Sequence, residues 1–239
     1  WSEPPVDIFH VRGPNYLKDR KKQQSEPYLL TTRGCDLLLT KSPPENVGRF
    51  PVLGGSVRNV PAFLINFRFP WGMLIQHFEI PEKFVPFLRN DNDTTESPSI
   101  PSDWSAPERT LAKFFLADQK TKNDTLKLIP YIADGPWIVK NMVTGRPAII
   151  GNKLPVTYTY QPADPDAGLA CYLEADLDIG NSSAAAKRIV SVCRRYMNSL
   201  TLDVGFVLEG KTEEELPEQM LCSIRVHGVD PLKAPTFSE

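Results

Sequence analysis

Between Leu126 and Leu200 the hydrophobic period of this chain switches from two to about three and a half within a few residues, and that switch constrains the fold more than any other feature. In Cys171 to Ile179, Cys171, Leu173, Ala175, Leu177 and Ile179 share one face of a strand, and Tyr172, Glu174, Asp176 and Asp178 share the other. Asn181, Ser182 and Ser183 follow as candidate helix caps. Ile189, Val192, Cys193, Tyr196 and Leu200 then recur at helical spacing, which predicts a helix over Asn181 to Asp203. Just upstream, Leu126 to Tyr131 reads as a strand and Asp134-Gly135-Pro136 as a turn. Pro136 suits the first position of a short helix, Trp137 to Val143, ending at Gly145. Ala148 to Ile150 and Val156 to Tyr160 read as further strands.

The first half is less sharply punctuated. Tyr28 to Thr40 suggests a short strand, a turn at Arg33-Gly34 and a second apolar run. Gly54-Gly55 marks another turn. Ala62 to Phe69 and Met73 to Ile80, separated by Pro70-Trp71-Gly72, make the best hairpin candidate. Asn90 to Pro107 is a long polar, proline-rich loop, of the kind that is usually functional or disordered. Glu108 to Asp118 has helical character, with Leu111, Phe114 and Phe115 on one face. Val204 to Leu208 and Met220 to His227 close the series as strands. Strands without regular βαβ alternation imply an α+β fold rather than a doubly wound one. The expected architecture is a single domain spanning 1–239, with a curved antiparallel sheet packed on the 181–203 helix, of the START-like helix-grip kind.

A chain of 239 residues can bury about 70% of its unfolded surface and needs no staples. Its 23 prolines against 14 glycines imply short elements with defined ends. A net charge of −2 gives no global basic excess, so nucleic acid is not an expected partner. No apolar run reaches the ~20 residues of a membrane span, and none of these residues reads as a signal peptide. Cys35, Cys171, Cys193 and Cys222 are far apart and read as separate thiols, as in a reducing compartment, with a disulfide between distant cysteines as the alternative. The sequons at Asn92, Asn123 and Asn181 are the only hint of secretion. A cytoplasmic protein, peripheral to membranes, is expected. Trp1 in place of Met indicates a processed chain or a piece of a longer one.

Catalytic signals are absent. His10, His77 and His227 show no metal-binding spacing, and there is no Walker loop, Rossmann fingerprint or GxSxG motif. No cofactor and no metal are expected, and no enzyme activity. The acidic row Glu174, Asp176, Asp178 reads as a metal or acid–base site or, more simply, as the solvent side of a half-buried strand. Two features suggest binding. Phe63, Phe67, Phe69, Trp71 and Phe78, with Trp137 and Tyr196, are candidate walls of an apolar ligand cavity. Lys187, Arg188, Arg194 and Arg195 gather opposite the apolar stripe of the 181–203 helix. They form either a solvated face or a contact for anionic lipid or a protein partner. The basic run Lys18 to Gln24 is either a solvated turn or loop or a contact with anionic headgroups.

The stretches WSEPPVDIFHVRGPNYLKD, LKLIPYIADGPWIVKNMVTGRPAIIGNKL, YLEADLDIGNSSAAAKRIV and EGKTEEELPEQMLCSIRVHGV cover most of the chain. In that order they resemble the C-terminal domain family of the plant Enhanced Disease Resistance 2 protein, catalogued as a domain of unknown function. The resemblance implies a module often found after pleckstrin-homology and START lipid-binding domains. It also implies association with phosphoinositide-containing membranes and with restraint of defence-related cell death. It supplies no catalytic or headgroup-binding residue. The function expected is a non-enzymatic lipid or hydrophobic-ligand binding module at membrane surfaces. The alternative is a protein-interaction or scaffold subunit with a filled core.

Overall fold

A computed structural model describes residues 1–51, 55–90, 96–143 and 145–238. The expected glycine turn at Gly54 and the sequon at Asn92 lie outside the described residues. Eleven strands are described: β1 (His10–Arg12), β2 (Lys22–Gln24), β3 (Thr31–Leu39), β4 (Ala62–Phe69), β5 (Gly72–Glu79), β6 (Leu126–Asp134), β7 (Ala148–Ile149), β8 (Val156–Gln161), β9 (Tyr172–Asp178), β10 (Thr201–Leu208) and β11 (Met220–His227). The helices are α1 (Tyr16–Asp19), α2 (Ala106–Leu116), α3 (Gln119–Asn123), α4 (Trp137–Met142) and α5 (Ala184–Tyr196).

The strands form a small β1–β2 ribbon and two larger sheets, ordered β11-β10-β6-β7 and β3-β5-β4-β9-β8. The start of β3 and the residue before it join the larger two. Leu30 N–H donates to the Leu221 carbonyl at 2.9 Å and the Thr32 hydroxyl to the Ser223 carbonyl at 2.8 Å. The result is an open, curved sheet in a single α+β domain, consistent with a START-like arrangement. Pairing is antiparallel except between β4 and β9, which run parallel. The expected turn at Arg33-Gly34 is a register shift within the continuous strand β3. An extra residue there bends the strand without reversing it.

The concave side is closed by aromatic packing. Phe206 of β10 meets Phe67 and Phe78 of the other sheet, each with ring centroids 6.3 Å apart. Helix α2 enters the same space, placing Phe114 and Phe115 at 6.2 and 6.5 Å from Phe63. Its start is set by a Ser105–Glu108 capping box, worth about 1 kcal/mol. Its buried Leu111, Phe114 and Phe115 each contribute roughly 1.5–3 kcal/mol by leaving water.

Helix α5 caps one end of the sheet. Its stripe Ile189, Val192, Cys193 and Tyr196 packs against Ile132, Val139, Val143 and Leu200. None of its residues is fully buried, so α2 is the more deeply seated helix. The 181–203 segment is α-helical only over Ala184–Tyr196, followed by a 3-10 turn over Met197–Ser199. Residues 201–203 already belong to β10, where pairing with both β6 and β11 satisfies their backbone.

Both convex faces are covered. Residues 1–28 lie over the four-stranded sheet, where Phe9 and Val11 pack on Ile129, Val207 and Met220. Gly205 permits this approach: a Cβ there would sit 2.8 Å from the Phe9 ring. Residues 43–50 and the C-terminal segment cover the five-stranded sheet, with Phe50 and Phe237 edge to face at 5.3 Å. No helix among the described residues is long and apolar enough to cross a membrane.

Candidate functional site

The aromatic residues singled out in the sequence divide into two groups. Phe63, Phe67, Phe69 and Phe78 are buried in the main core. Phe67 stacks on Phe69 at 6.3 Å, and Phe69 on Trp71 at 5.0 Å with planes 6° apart. Trp71, in the β4–β5 turn, ends this column at the surface, where the Arg194 guanidinium lies 4.2 Å from the ring centroid. Trp137 and Tyr196 stand apart. Tyr196 packs under α4 at the sheet end. Trp137 is 74% exposed, because α4 turns Val139 and Val143 inward and so leaves its first residue on the outside. The seven residues therefore do not line one chamber. Gln76 is fully buried and alternates with core residues Leu74 and Phe78 along β5, so it points to the concave side. Neither of its amide atoms has a protein partner among the described residues.

On α5, Lys187, Arg188, Arg194 and Arg195 are all exposed. Among the described residues none has a carboxylate within ion-pair distance. Arg194 and Arg195 border a recess of about 340 Å³ whose other wall includes Leu232, a leucine 85% exposed. Sequence periodicity could not have found Leu232, which sits in a short turn after β11 and belongs to no repeating pattern.

The acidic row behaves differently from its expected solvent-facing role. Glu174 and Asp176 are buried, because residues 43–50 fold over that face of β9. Glu174 accepts from the Val47 and Gly48 amides at 2.7 and 2.8 Å. Asp176 accepts from the Asn46 amide at 2.9 Å and from Asn66 Nδ2 at 2.8 Å. Gly48 is required here, since a Cβ would lie 2.7 Å from the Tyr172 ring. Burial, then the charge of Asp176, pushes the Glu174 carboxyl well above the usual carboxylate range. Burial raises Asp176 as well. The pair tethers a loop by its backbone. Asp178 instead caps residues 179–181 through the Asn181 amide.

No group of three or more His, Cys, Asp or Glu side chains is placed to hold a metal among the described residues. The four cysteines are free thiols. Burial pushes Cys193 up to about 11 and Cys222 well above its ordinary value, which disfavours the nucleophilic thiolate at neutral pH.

Fold and surface together define a single α+β module with a curved sheet, an aromatic interior and one exposed basic helix. The chain belongs to the Enhanced Disease Resistance 2 C-terminal family, whose model, described as "Protein ENHANCED DISEASE RESISTANCE 2, C-terminal", matches residues 1–230. It is 32% identical over 233 residues to an Arabidopsis thaliana protein named "Protein ENHANCED DISEASE RESISTANCE 2-like". That match covers 96% of this chain and 28% of the relative, so the chain spans under a third of that protein's length. No solved structure matches it.

Proposed function

We propose that this domain is a non-enzymatic lipid-binding module that works against anionic membrane surfaces, with the basic side of α5 as its contact. The observation that carries this reading is the set of four exposed α5 cations that have no carboxylate partner among the described residues. Unpaired surface cations are electrostatically free for an external anion, and each Lys or Arg near an anionic leaflet contributes about 1 kcal/mol. Exposed Leu232 beside Arg194 and Arg195 adds an apolar group at the same place.

Sedimentation with phosphatidylcholine vesicles, with and without phosphatidylserine, tests the surface contact. The protein should pellet only with the anionic vesicles and be released by salt. Replacing Lys187, Arg188, Arg194 and Arg195 by Gln should remove about 4 kcal/mol, roughly a thousandfold in affinity. Binding that ignores vesicle charge, or survives the four substitutions, would overturn the proposal. The direct ring contacts Phe63–Phe114 and Phe67–Phe206 favour a second reading, a filled-core interaction module whose α5 docks an acidic protein. A chain that ignores vesicles, yields no lipid on solvent extraction and co-purifies with an acidic partner would select it.

A further inference from the structure

The convex face of the four-stranded sheet carries a recess unrelated to α5. It has a volume of about 430 Å³ and lies between the β1–β2 ribbon and residues 147–153. This is within the range of sites that hold one small molecule. Its floor is built from an ion network with little exposure to water. The Arg12 guanidinium donates to Glu209 at 2.6 Å and to the Gly210 carbonyl at 2.8 Å. The Lys127 ammonium donates to Glu218 at 2.6 Å. Glu218 also accepts from the Gly210 amide at 3.0 Å and the Arg12 amide at 3.1 Å. Floor charges balance: Arg12 and Lys127 against Glu209 and Glu218.

The rim does not balance. Lys22 from β2 and Lys153 also line the recess. Neither has a carboxylate partner among the described residues. Four cations less two carboxylates leave an excess of two positive charges around one cavity. Lys127 adds donor capacity from below, since an ammonium has three N–H groups and one recorded acceptor. Burial pushes the Lys127 ammonium below its ordinary value, with Glu218 opposing. A second anion in the recess would favour its charged form further. Asn152 supplies an amide at the rim, and Ile129, Ile149 and Val207 supply apolar wall.

We infer that this recess binds a phosphate monoester, with Lys22, Lys127 and Lys153 directed to its oxygens and the apolar wall against its carbon skeleton. A phosphate monoester carries a charge of about −1.5 to −2 at neutral pH and three acceptor oxygens, which matches both the surplus charge and the donors. A carboxylate offers half that charge. The ester has two sources: a free metabolite, or a lipid headgroup presented on a membrane. The site uses none of the α5 residues, so it stands or falls independently of the membrane contact proposed above.

Amide NMR of the full chain in chloride buffer, titrated with inorganic phosphate and then glycerol 3-phosphate, tests the inference. Saturable shifts at Lys22, Lys127, Asn152 and Lys153 are expected, with glycerol 3-phosphate the tighter ligand. A Lys22→Gln/Lys153→Gln variant removes two exposed, unpaired side chains and should fold normally. It should bind at least about tenfold more weakly, as expected for loss of charge-assisted hydrogen bonds. Vesicles carrying phosphatidic acid separate the sources. A preference for phosphatidic acid over phosphatidylserine vesicles of equal charge that is lost in this variant assigns a lipid phosphate. Retention unaffected by it, alongside glycerol 3-phosphate binding, assigns a soluble ester. Absence of saturable shifts at millimolar phosphate, or equal shifts in the rim variant, would refute the site.

Discussion

Glu174 and Asp176 on β9, and the four cations on α5, are both rows of like charge set by a regular period, yet they occupy opposite physical situations. The carboxylates lie under residues 43–50 and spend their oxygens on backbone and amide donors. The α5 cations are exposed and lack carboxylate partners among the described residues. The difference teaches that a row of charge has no functional meaning until its partners are known. Buried like charges cost stability unless donors surround them. Exposed like charges cost little and remain available to a ligand.

The comparison breaks most directly at Glu174. Glu174→Ala should leave the Val47 and Gly48 amides without acceptors beneath the 43–50 loop. The expected loss is about 2–4 kcal/mol in urea-induced unfolding. The Gln substitutions at Lys187, Arg188 and Arg195 should each change stability by less than about 0.5 kcal/mol. A Glu174→Ala protein as stable as the parent would mean that the loop is held by its apolar contacts alone.

A smaller effect follows from the proton on that pair. The folded-state carboxyls of Glu174 and Asp176 are both raised, by burial and, for Glu174, by the neighbouring charge. Unfolded carboxyls release their protons near pH 4. Above that, the folded chain holds more protons than the unfolded one, so this contribution to stability is full below the unfolded value and declines as pH rises through the raised folded one. For one proton the slope is at most about 1.4 kcal/mol per pH unit. Asp176→Asn should flatten it, because Glu174 then loses its like-charged neighbour and Asn66 can rotate its amide to pair with the new side chain. Urea titrations at stepped pH on both proteins measure the difference; matching slopes would show that burial alone, without the Asp176 charge, holds the proton.

Much of the scaffold was legible because it rests on local rules. The β4–β5 hairpin follows from alternation on either side of Pro70-Trp71, and the Leu111, Phe114 and Phe115 stripe of α2 from helical spacing. The fate of the β9 acidic row was not legible. Alternation assigned Glu174 and Asp176 to one face, but what covers that face is a segment some 130 residues earlier, anchored through backbone amides. Backbone donors leave no trace in side-chain pattern. The same limit hid the recess beside the β1–β2 ribbon, whose cations Arg12, Lys22, Lys127 and Lys153 come from separated segments. The α5 basic side was legible because a helix brings its own neighbours together.

Arg194 lies between the two situations, and it sharpens the comparison with the smallest effect. It belongs by position to the free basic side of α5, yet its guanidinium rests over Trp71, at the end of the Phe67–Phe69–Trp71 column. Arg195, its neighbour, has no such contact among the described residues. A cation over an indole at a solvent-accessible site is worth about 0.5–1 kcal/mol. Arg194→Ala should therefore destabilise the fold by that amount, and Arg195→Ala by less than about 0.5 kcal/mol. Toward anionic vesicles the ranking should vanish, because each substitution removes one charge from the same surface and costs about 1 kcal/mol of binding. Thermal unfolding and vesicle sedimentation on the two variants read these quantities separately. If Arg195→Ala matched Arg194→Ala in unfolding, the Trp71 contact would contribute nothing. If Arg194→Ala left vesicle binding intact while Arg195→Ala weakened it, the guanidinium over Trp71 would be committed to the fold, and the contact surface of α5 would reduce to Lys187, Arg188 and Arg195.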